Sequence, residues 1–490
     1  MNKFNKKKMF LAPSRLLLLL RRGLGGGLLS YLMLLSMTSV FAQGGTTGPL
    51  TWQLTGTSPN MTLTISGQGA MPDYDYSGNF APWYPYRESI YTVVIGNDIT
   101  TIGDYAFFEC SSLTSATIGN NVTTIGNGAF SYCSSLTSII ILNSVTTMGN
   151  HVFSHCSSLT SITIPNSVTT MGSSAFSYCY ALTSAAIGNS VTAIEGSAFY
   201  GCISLTSATI GNGVTKIGSY AFSCCDILPS ITIPNNVATI GDFAFDCYNL
   251  TSVNYNATNC TVSNKAFDDD FPPAVTTLTI GEQVEKLPGV FGKFIKLTEI
   301  NYNAINCTVG NVFYPTPAVT TLTIGEQVER LPDYVFAGFN QLTSITIPNS
   351  VTTIGDGAFS FCSSLTSATI GNSVATIGYE AFGYCYALTS ATIGNSVTTI
   401  ERAAFSYCSS LTSITIPNSV ITIGDGAFGY CYALTSATIG NSVTTIGGSA
   451  FYGCSLTSIT IPNSVATIGV GAFSGCTSLT SIDVESENNN

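Results

Sequence analysis

The chain predicts an α/β repeat solenoid, and three observations carry that prediction. A phenylalanine recurs every 23 residues, an alternating apolar/polar segment sits at a fixed distance from each one, and charge is scarce. Seventeen phenylalanines, from Phe107, Phe130 and Phe153 through to Phe451 and Phe473, keep the step with slips of only 22 or 24. A fixed period in this range marks units that bury their apolar faces only by stacking on neighbours. The 490 residues therefore read as one continuous stacked body rather than the roughly three domains that length alone would suggest. Charged residues make up 8% of the chain, against about 25% in an average soluble protein, so Ser, Thr, Asn and Gly must supply most of the polar surface.

Residues 159–181, LTSITIPNSVTTMGSSAFSYCYA, serve as the type unit. Its opening, Leu159 to Ile164, ends in the alternation of a half-buried strand. Pro165, Asn166 and Ser167 turn the chain out of the strand, and Val168 and Met171 point inward again. From Gly172 the spacing predicts a short helical or 3-10 stretch, because Ala175, Phe176, Cys179 and Leu182 recur at separations of one, three and four. Eighteen strand starts, from Ile90 through Leu113 and Leu136 to Leu479, stack into one parallel sheet on the order of 85 Å long. A period of 23 falls within the leucine-rich-repeat range. The expected fold is thus a leucine-rich-repeat arc, coiled right-handed, with a parallel β-sheet on the concave side and short helical or 3-10 segments on the other. The concave side is the usual binding face of such solenoids.

The pattern LTSITIPNSVTTIGDGAF at residues 342–359 and its sister segments resembles the BspA-like family of leucine-rich-repeat proteins on bacterial surfaces, over roughly residues 90 to 484. The resemblance implies secretion, a curved solenoid, and adhesion to host or bacterial surface molecules. It carries over no functional residue, since the repeat consensus defines core positions. No wall-sorting segment follows the repeats, so it assigns no mode of attachment.

Residues 1–42 read as a secretory signal: Lys3, Lys6, Lys7, Lys8 and Arg15 form a basic start. An apolar stretch over 24–42 follows, ending in Val40-Phe41-Ala42 with small residues where a signal peptidase needs them. A membrane anchor is the competing reading; the stretch is interrupted by Gly25, Gly26 and Gly27 and barely long enough to span. No further apolar segment predicts a transmembrane span after signal removal. Seven of the fifteen cations lie in this leader, leaving eight against 26 acids, a net charge of −18. Such a surface disfavours nucleic acid and anionic membrane as partners, both of which require a basic patch.

Residues 43–89 break the period and read as an N-terminal cap. Segments 50–54 and 61–66 alternate like a hairpin, and Trp83, Tyr84 and Tyr86 supply rings. These serve either as a lid over the first coil or as a sugar-binding platform; the lid is the reading adopted. Regular repeats fill 90–249 and 342–484, and an acidic, Asn-rich tail follows at 485–490. In the segment 250–341 the units diverge: NATNCTV at 256–262 recurs as NAINCTV at 303–309, and Tyr255 and Tyr302 take inward aliphatic sites. Five of the eight remaining cations gather here, which makes the segment the first candidate for specificity. Its candidate ligand contacts are Lys265, Asp268, Asp269, Asp270, Glu282, Lys286, Lys293, Lys296, Glu299, Glu326 and Arg330. Solvated loops are the competing reading. Outward strand positions form a Ser/Thr surface that adds Thr343, Ser344 and Thr346 as contacts for glycan, extended peptide or, in a third hypothesis, ice; high strand propensity alone also explains it.

Of sixteen cysteines, twelve sit three residues after a repeat phenylalanine. That regularity marks a packing slot for small buried thiols, and most are expected unbridged because neighbouring coils on the wider side exceed the reach of about 7 Å. His151 and His155 are the only histidines. Without a third ligand nearby they read as exposed surface rather than a metal site. Asp268, Asp269 and Asp270 invite a hard cation but fit an acidic loop. Nucleophiles lack an accompanying base and orienting group, and no phosphate-cradling glycine loop occurs, so neither enzyme activity nor a cofactor is expected. The function predicted is non-catalytic adhesion to, or binding of, extracellular protein or glycan ligands on host or bacterial surfaces. Its rivals are a secreted glycan-binding or glycan-processing accessory protein and a self-assembling surface protein.

Overall fold

The computed structural model describes residues 43–267, 273–308, 312–313 and 317–485; the predicted signal and Asp268, Asp269 and Asp270 lie outside them. In the type unit Ser161–Ile164 is the strand, with Ile162 and Ile164 buried and Ser161 and Thr163 exposed. It pairs in parallel with Ser184–Ile187 one period on, Ile162 opposite Ala185 and Ile164 opposite Ile187. A second short strand, Thr170–Met171, pairs in parallel with Thr147–Met148. Side chains alternate across a strand, so a shift of 23 keeps every inward residue inward. The unit starting at Leu136 departs from expectation, since residues 137–142 form no strand, although Ile139 and Ile141 remain buried.

The helical segments expected on the opposite side are absent; the molecule is a parallel-strand β-solenoid with almost no helix. Among the described residues only Tyr84–Tyr86 and Gly289–Lys293 form 3-10 turns. In the regular coils, two residues flanking the repeat phenylalanine explain this. In the type unit Ser174 and Tyr178 take φ of 55° and 60°, left-handed values that interrupt a right-handed helix. Amides between them bond to the next coil, Phe176 N–H to Ala198 O at 2.8 Å and Tyr178 N–H to Tyr200 O at 2.7 Å. Tight turns closed by three-residue bonds, such as Ser177 N–H to Ser174 O, reproduce the one-, three- and four-residue spacing of a helix. A regular coil thus joins its neighbours through three backbone ladders: long strand, short strand and turn.

The core is a column of stacked rings. Phe153, Phe176 and Phe199 are fully buried, with centroids 5.4 and 5.3 Å apart and ring planes within 13°. Strands in a sheet step by about 4.8 Å, so the phenylalanine side steps slightly further, in the sense that puts the strand side on the inside of an arc. Trp83 heads the column: it is buried, stacks on Phe107 at 5.8 Å, and donates its indole N–H to Ala106 O at 2.7 Å. The cap's antiparallel hairpin, Leu50–Thr57 with Asn60–Gly67, continues the sheet by pairing in parallel with Ile90–Ile95. In the divergent segment the column breaks into edge-on contacts, Phe267 meeting Phe294 at 88° and Tyr255 meeting Phe291 at 89°.

All sixteen cysteines are free thiols in the structure. The repeat thiols bond to the coil behind: Cys179 Sγ donates to Phe153 O and Cys202 Sγ to Phe176 O, each at 3.2 Å. Burial pushes the Cys110 and Cys362 thiols up to about 12. Asparagines staple one corner, Asn189 and Asn212 each donating a backbone N–H to the Oδ1 of the asparagine one coil earlier.

Candidate ligand-binding grooves on the turn face

The described charged residues singled out in the sequence lie on several sides of the coil. Lys265 lies on the turn side, its Nζ 5.3 Å from the centre of the Phe243 ring, and Lys293 Nζ donates to Asn264 O. Lys296 is exposed beyond that turn, Glu282, Lys286 and Glu326 are exposed after their strands, and Arg330 begins the short strand Arg330–Leu331. Glu299 opens Glu299–Tyr302 on the long-strand side and accepts from Asn301 Nδ2 at 3.1 Å. They therefore ring the coil. Ion pairs between described residues lie elsewhere, joining Arg87 to Glu88 and Glu109, and Lys216 to Glu195.

The Ser/Thr surface divides into two rows with different roles. Thr343 is exposed, as are Ser344 and Thr346 on the strand Ser344–Ile347. The row preceding the strands is turned back to the backbone: Thr366 Oγ1 donates to Thr343 O at 2.8 Å, and Thr160, Thr183 and Thr206 each donate to the coil behind at 2.9–3.3 Å. Those hydroxyls staple coils together. The Thr346 row points its hydroxyls outward instead.

A feature that the sequence reading missed lies on the opposite face. Two residues beyond the repeat phenylalanine, Phe361, Tyr384, Tyr407 and Tyr430 stack in a second, exterior column, with centroids 4.5, 4.8 and 4.4 Å apart and planes within 13°. Beside it runs a groove of about 600 Å³. Buried Ser406 and Gly429 form its floor, the tyrosines one wall, and Glu380, Arg402 and Asp425 the other. Tyr452 closes one end, its ring edge-on to Tyr430 at 5.1 Å. A matching groove of about 520 Å³ follows Tyr132, His155 and Tyr178, the first pair stacked at 4.2 Å and the second tilted by 35° at 4.5 Å. There Ser131, Ser154 and Ser177 form the floor, and Phe108 and Tyr200 stand edge-on at the two ends.

These rings occupy an unfavourable backbone site. Phe361, Tyr384, Tyr407 and Tyr430 have φ of 59–61°; of the other coils, four hold glycine here, Gly201, Gly338, Gly453 and Gly475 at 71–78°, and two hold Glu109 and Cys224 at 57° and 58°. A side chain here costs about 1–2 kcal/mol that glycine escapes, and one stacked pair returns about 0.5–1.5 kcal/mol. The fold tolerates the loss of the ring, since in the Gly201 coil Phe199 still stacks on Phe222 at 5.2 Å. The signal is present in the sequence as the recurring Phe-Ser-Tyr-Cys and Phe-Gly-Tyr-Cys, which helical spacing disguises.

His151 is exposed, as expected, but His155 is not: it is half-buried between Tyr132 and Tyr178, with Nδ1 2.9 Å from Ser154 Oγ. Burial, then His151, holds its pKa below the usual histidine value. On the other groove, Tyr407 and then desolvation push the Tyr430 phenol up, while Tyr379 donates to Glu380 Oε1 at 2.7 Å. Among the described residues no group of three or more His, Cys, Asp or Glu is placed to hold a metal, and no helix is long and apolar enough to cross a membrane.

A family model described as BspA type leucine rich repeat region, in six copies, matches residues 84–206, 172–291, 308–420 and 398–490. The chain belongs to the BspA-type leucine-rich-repeat family. That membership places this BspA-type chain among repeat proteins of the protein-binding kind, whose repeat fold is typically non-catalytic. Among solved structures it is similar to a leucine-rich repeat protein from Bacteroides ovatus, with 23% identity, 89% of this chain and 94% of that one covered, and a TM-score of 0.35. One from Eubacterium ventriosum gives 24%, 92%, 97% and 0.35. A leucine rich cell surface protein from Faecalibacterium prausnitzii gives 26%, 92%, 97% and 0.27. No curated protein matches.

Proposed function

We propose that the protein is secreted or displayed at the cell surface and mediates adhesion to, or ligand binding on, host or bacterial surface molecules without catalysis. One observation carries this reading: the coils repeat one surface from Ile90–Ile95 to Ser481–Val484, and on it two elongated grooves recur in the same position. A solenoid of this kind offers an extended interaction surface rather than a single deep pocket. Residues 1–42 act as the signal, 43–89 as the cap, and 250–341 as a charged interruption between two regular arrays. Family membership and the basic-then-apolar leader support surface location.

The protein is tested by presenting it to immobilised extracellular-matrix proteins, intact bacteria and a glycan panel. Saturable binding to at least one is expected. Replacing residues 250–341 by regular units of matched length then locates specificity. Loss of binding assigns it to the charged interruption; unchanged binding assigns it to the regular arrays. Hydrolysis of a substrate with no stable binding would overturn the reading.

A further inference from the structure

We propose that the turn-face groove beside Tyr384, Tyr407 and Tyr430 is a glycan-binding site, holding an extended β-linked oligosaccharide along the solenoid axis with one sugar per coil. The proposal deepens the ligand-binding reading above and rests on it. It begins from backbone economy: at Phe361, Tyr384, Tyr407 and Tyr430 rings stand in left-handed conformation where four other coils use glycine. The interior column already packs the coils, Phe382 to Phe405 at 5.2 Å and Phe405 to Phe428 at 5.4 Å. An exterior column in a strained position is therefore surplus to the fold, and strained residues concentrate at functional sites.

The step of the column selects the occupant. Coils recur every 5.2–5.4 Å by their phenylalanine centres. An extended peptide rises only about 3.3 Å per residue, so its side chains would meet a different part of each coil. A β-linked pyranose chain in extended form advances by close to one coil per sugar, because the ring holds its two bridging oxygens at opposite ends. Successive sugars would then meet equivalent surroundings: a tyrosine hydroxyl edge on one side, a small serine or glycine below, and Glu380, Arg402 or Asp425 opposite. Carboxylate and guanidinium bond well to vicinal hydroxyls, which both donate and accept. The groove begins at Glu380 and Tyr384 and ends at Tyr452, whose ring stands edge-on to Tyr430. Four coils line it, which gives room for about four sugars at one per coil.

The full chain, as processed by the expressing cell, is titrated calorimetrically with cello- and chito-oligosaccharides of two to six sugars and with extended peptides of equal length. Affinity for at least one sugar series should rise with length to about four sugars and then level off. Tyr407→Gly, which copies the coils that carry glycine at this place, gives up two stacked pairs against the relief of one left-handed side chain; it should stay folded with a nearly unchanged thermal midpoint and weaken sugar binding at least tenfold. Ile140→Ala, exposed on the strand side, should change nothing. Absence of sugar binding, equal binding by Tyr407→Gly, or capture of the peptides in place of sugars would each overturn the glycan site. Attachment of the same samples to bacteria and matrix proteins separates the two claims. Wild-type attachment without sugar binding removes the glycan site alone; loss of both removes the adhesion reading as well.

Discussion

The buried thiols predict steep loss of stability in alkali. In the unfolded chain a cysteine ionises with a pKa of about 8.5, whereas burial holds Cys110 and Cys362 at about 12 and Cys133, Cys179 and Cys385 well above their ordinary value. Between those limits the unfolded state has released protons that the folded state retains, so stability is intact below pH 8.5 and falls as pH rises toward 12. Each such thiol removes about 1.4 kcal/mol at pH 9.5 and about 2.7 kcal/mol at pH 10.5. Cys156, Cys179 and Cys202 in successive coils together remove about 4 kcal/mol at pH 9.5, comparable with the lower end of a domain's whole stability. Urea midpoints followed by circular dichroism from pH 7.5 to 10.5, anaerobically with a phosphine reductant, should therefore fall progressively. The triple variant Cys156→Ala, Cys179→Ala, Cys202→Ala should start less stable but fall less steeply. A midpoint independent of pH, or an unchanged slope in the triple variant, would refute the assignment of these groups as buried thiols.

Phe176→Ala removes a fully buried ring with neighbours at 5.4 and 5.3 Å and should cost about 3–5 kcal/mol. Phe473, only partly buried and stacked on Phe451 alone, should cost about half as much; equal urea midpoints would contradict the column. Iodoacetamide under non-reducing conditions should leave the buried cysteines unmodified in the folded protein and label most of them after denaturation, a result that linked pairs in the mass spectrum would overturn. Asn189→Ala deprives Asn212 N–H of its partner at 2.9 Å and should lower stability by about 0.5–1.5 kcal/mol in the same unfolding assay.

What is legible in the sequence is what repeats with side-chain chemistry. Spacing places Ile162, Ile164, Val168, Phe176 and Cys179 inward, and all are buried. The turn segment is where spacing misleads, because period cannot distinguish a helix from successive tight turns when both return a side chain to one face after three or four residues. Propensity offers the correction: the run from Gly172 to Ser174 is poor helix-forming sequence, and left-handed sites at Ser174 and Tyr178 are invisible to hydrophobic patterning. His155 is misplaced by the same route. On a helix it would project to solvent, whereas the turn lays it in line with Tyr132 and Tyr178.

The three backbone ladders also determine where function can reside. A regular coil satisfies most of its amides through its neighbours on the long strand, the short strand and the turn, so outward side chains are released from structural duty except where they staple coils, as Thr183 and Asn189 do. Departures from the least demanding residue at an outward position then become informative. Charges in 250–341 depart in composition yet are scattered around the coil. The exterior rings depart in backbone energy, recur in register, and border the two turn-face grooves. The second departure gathers its groups into one place, and recognition of a ligand requires that convergence.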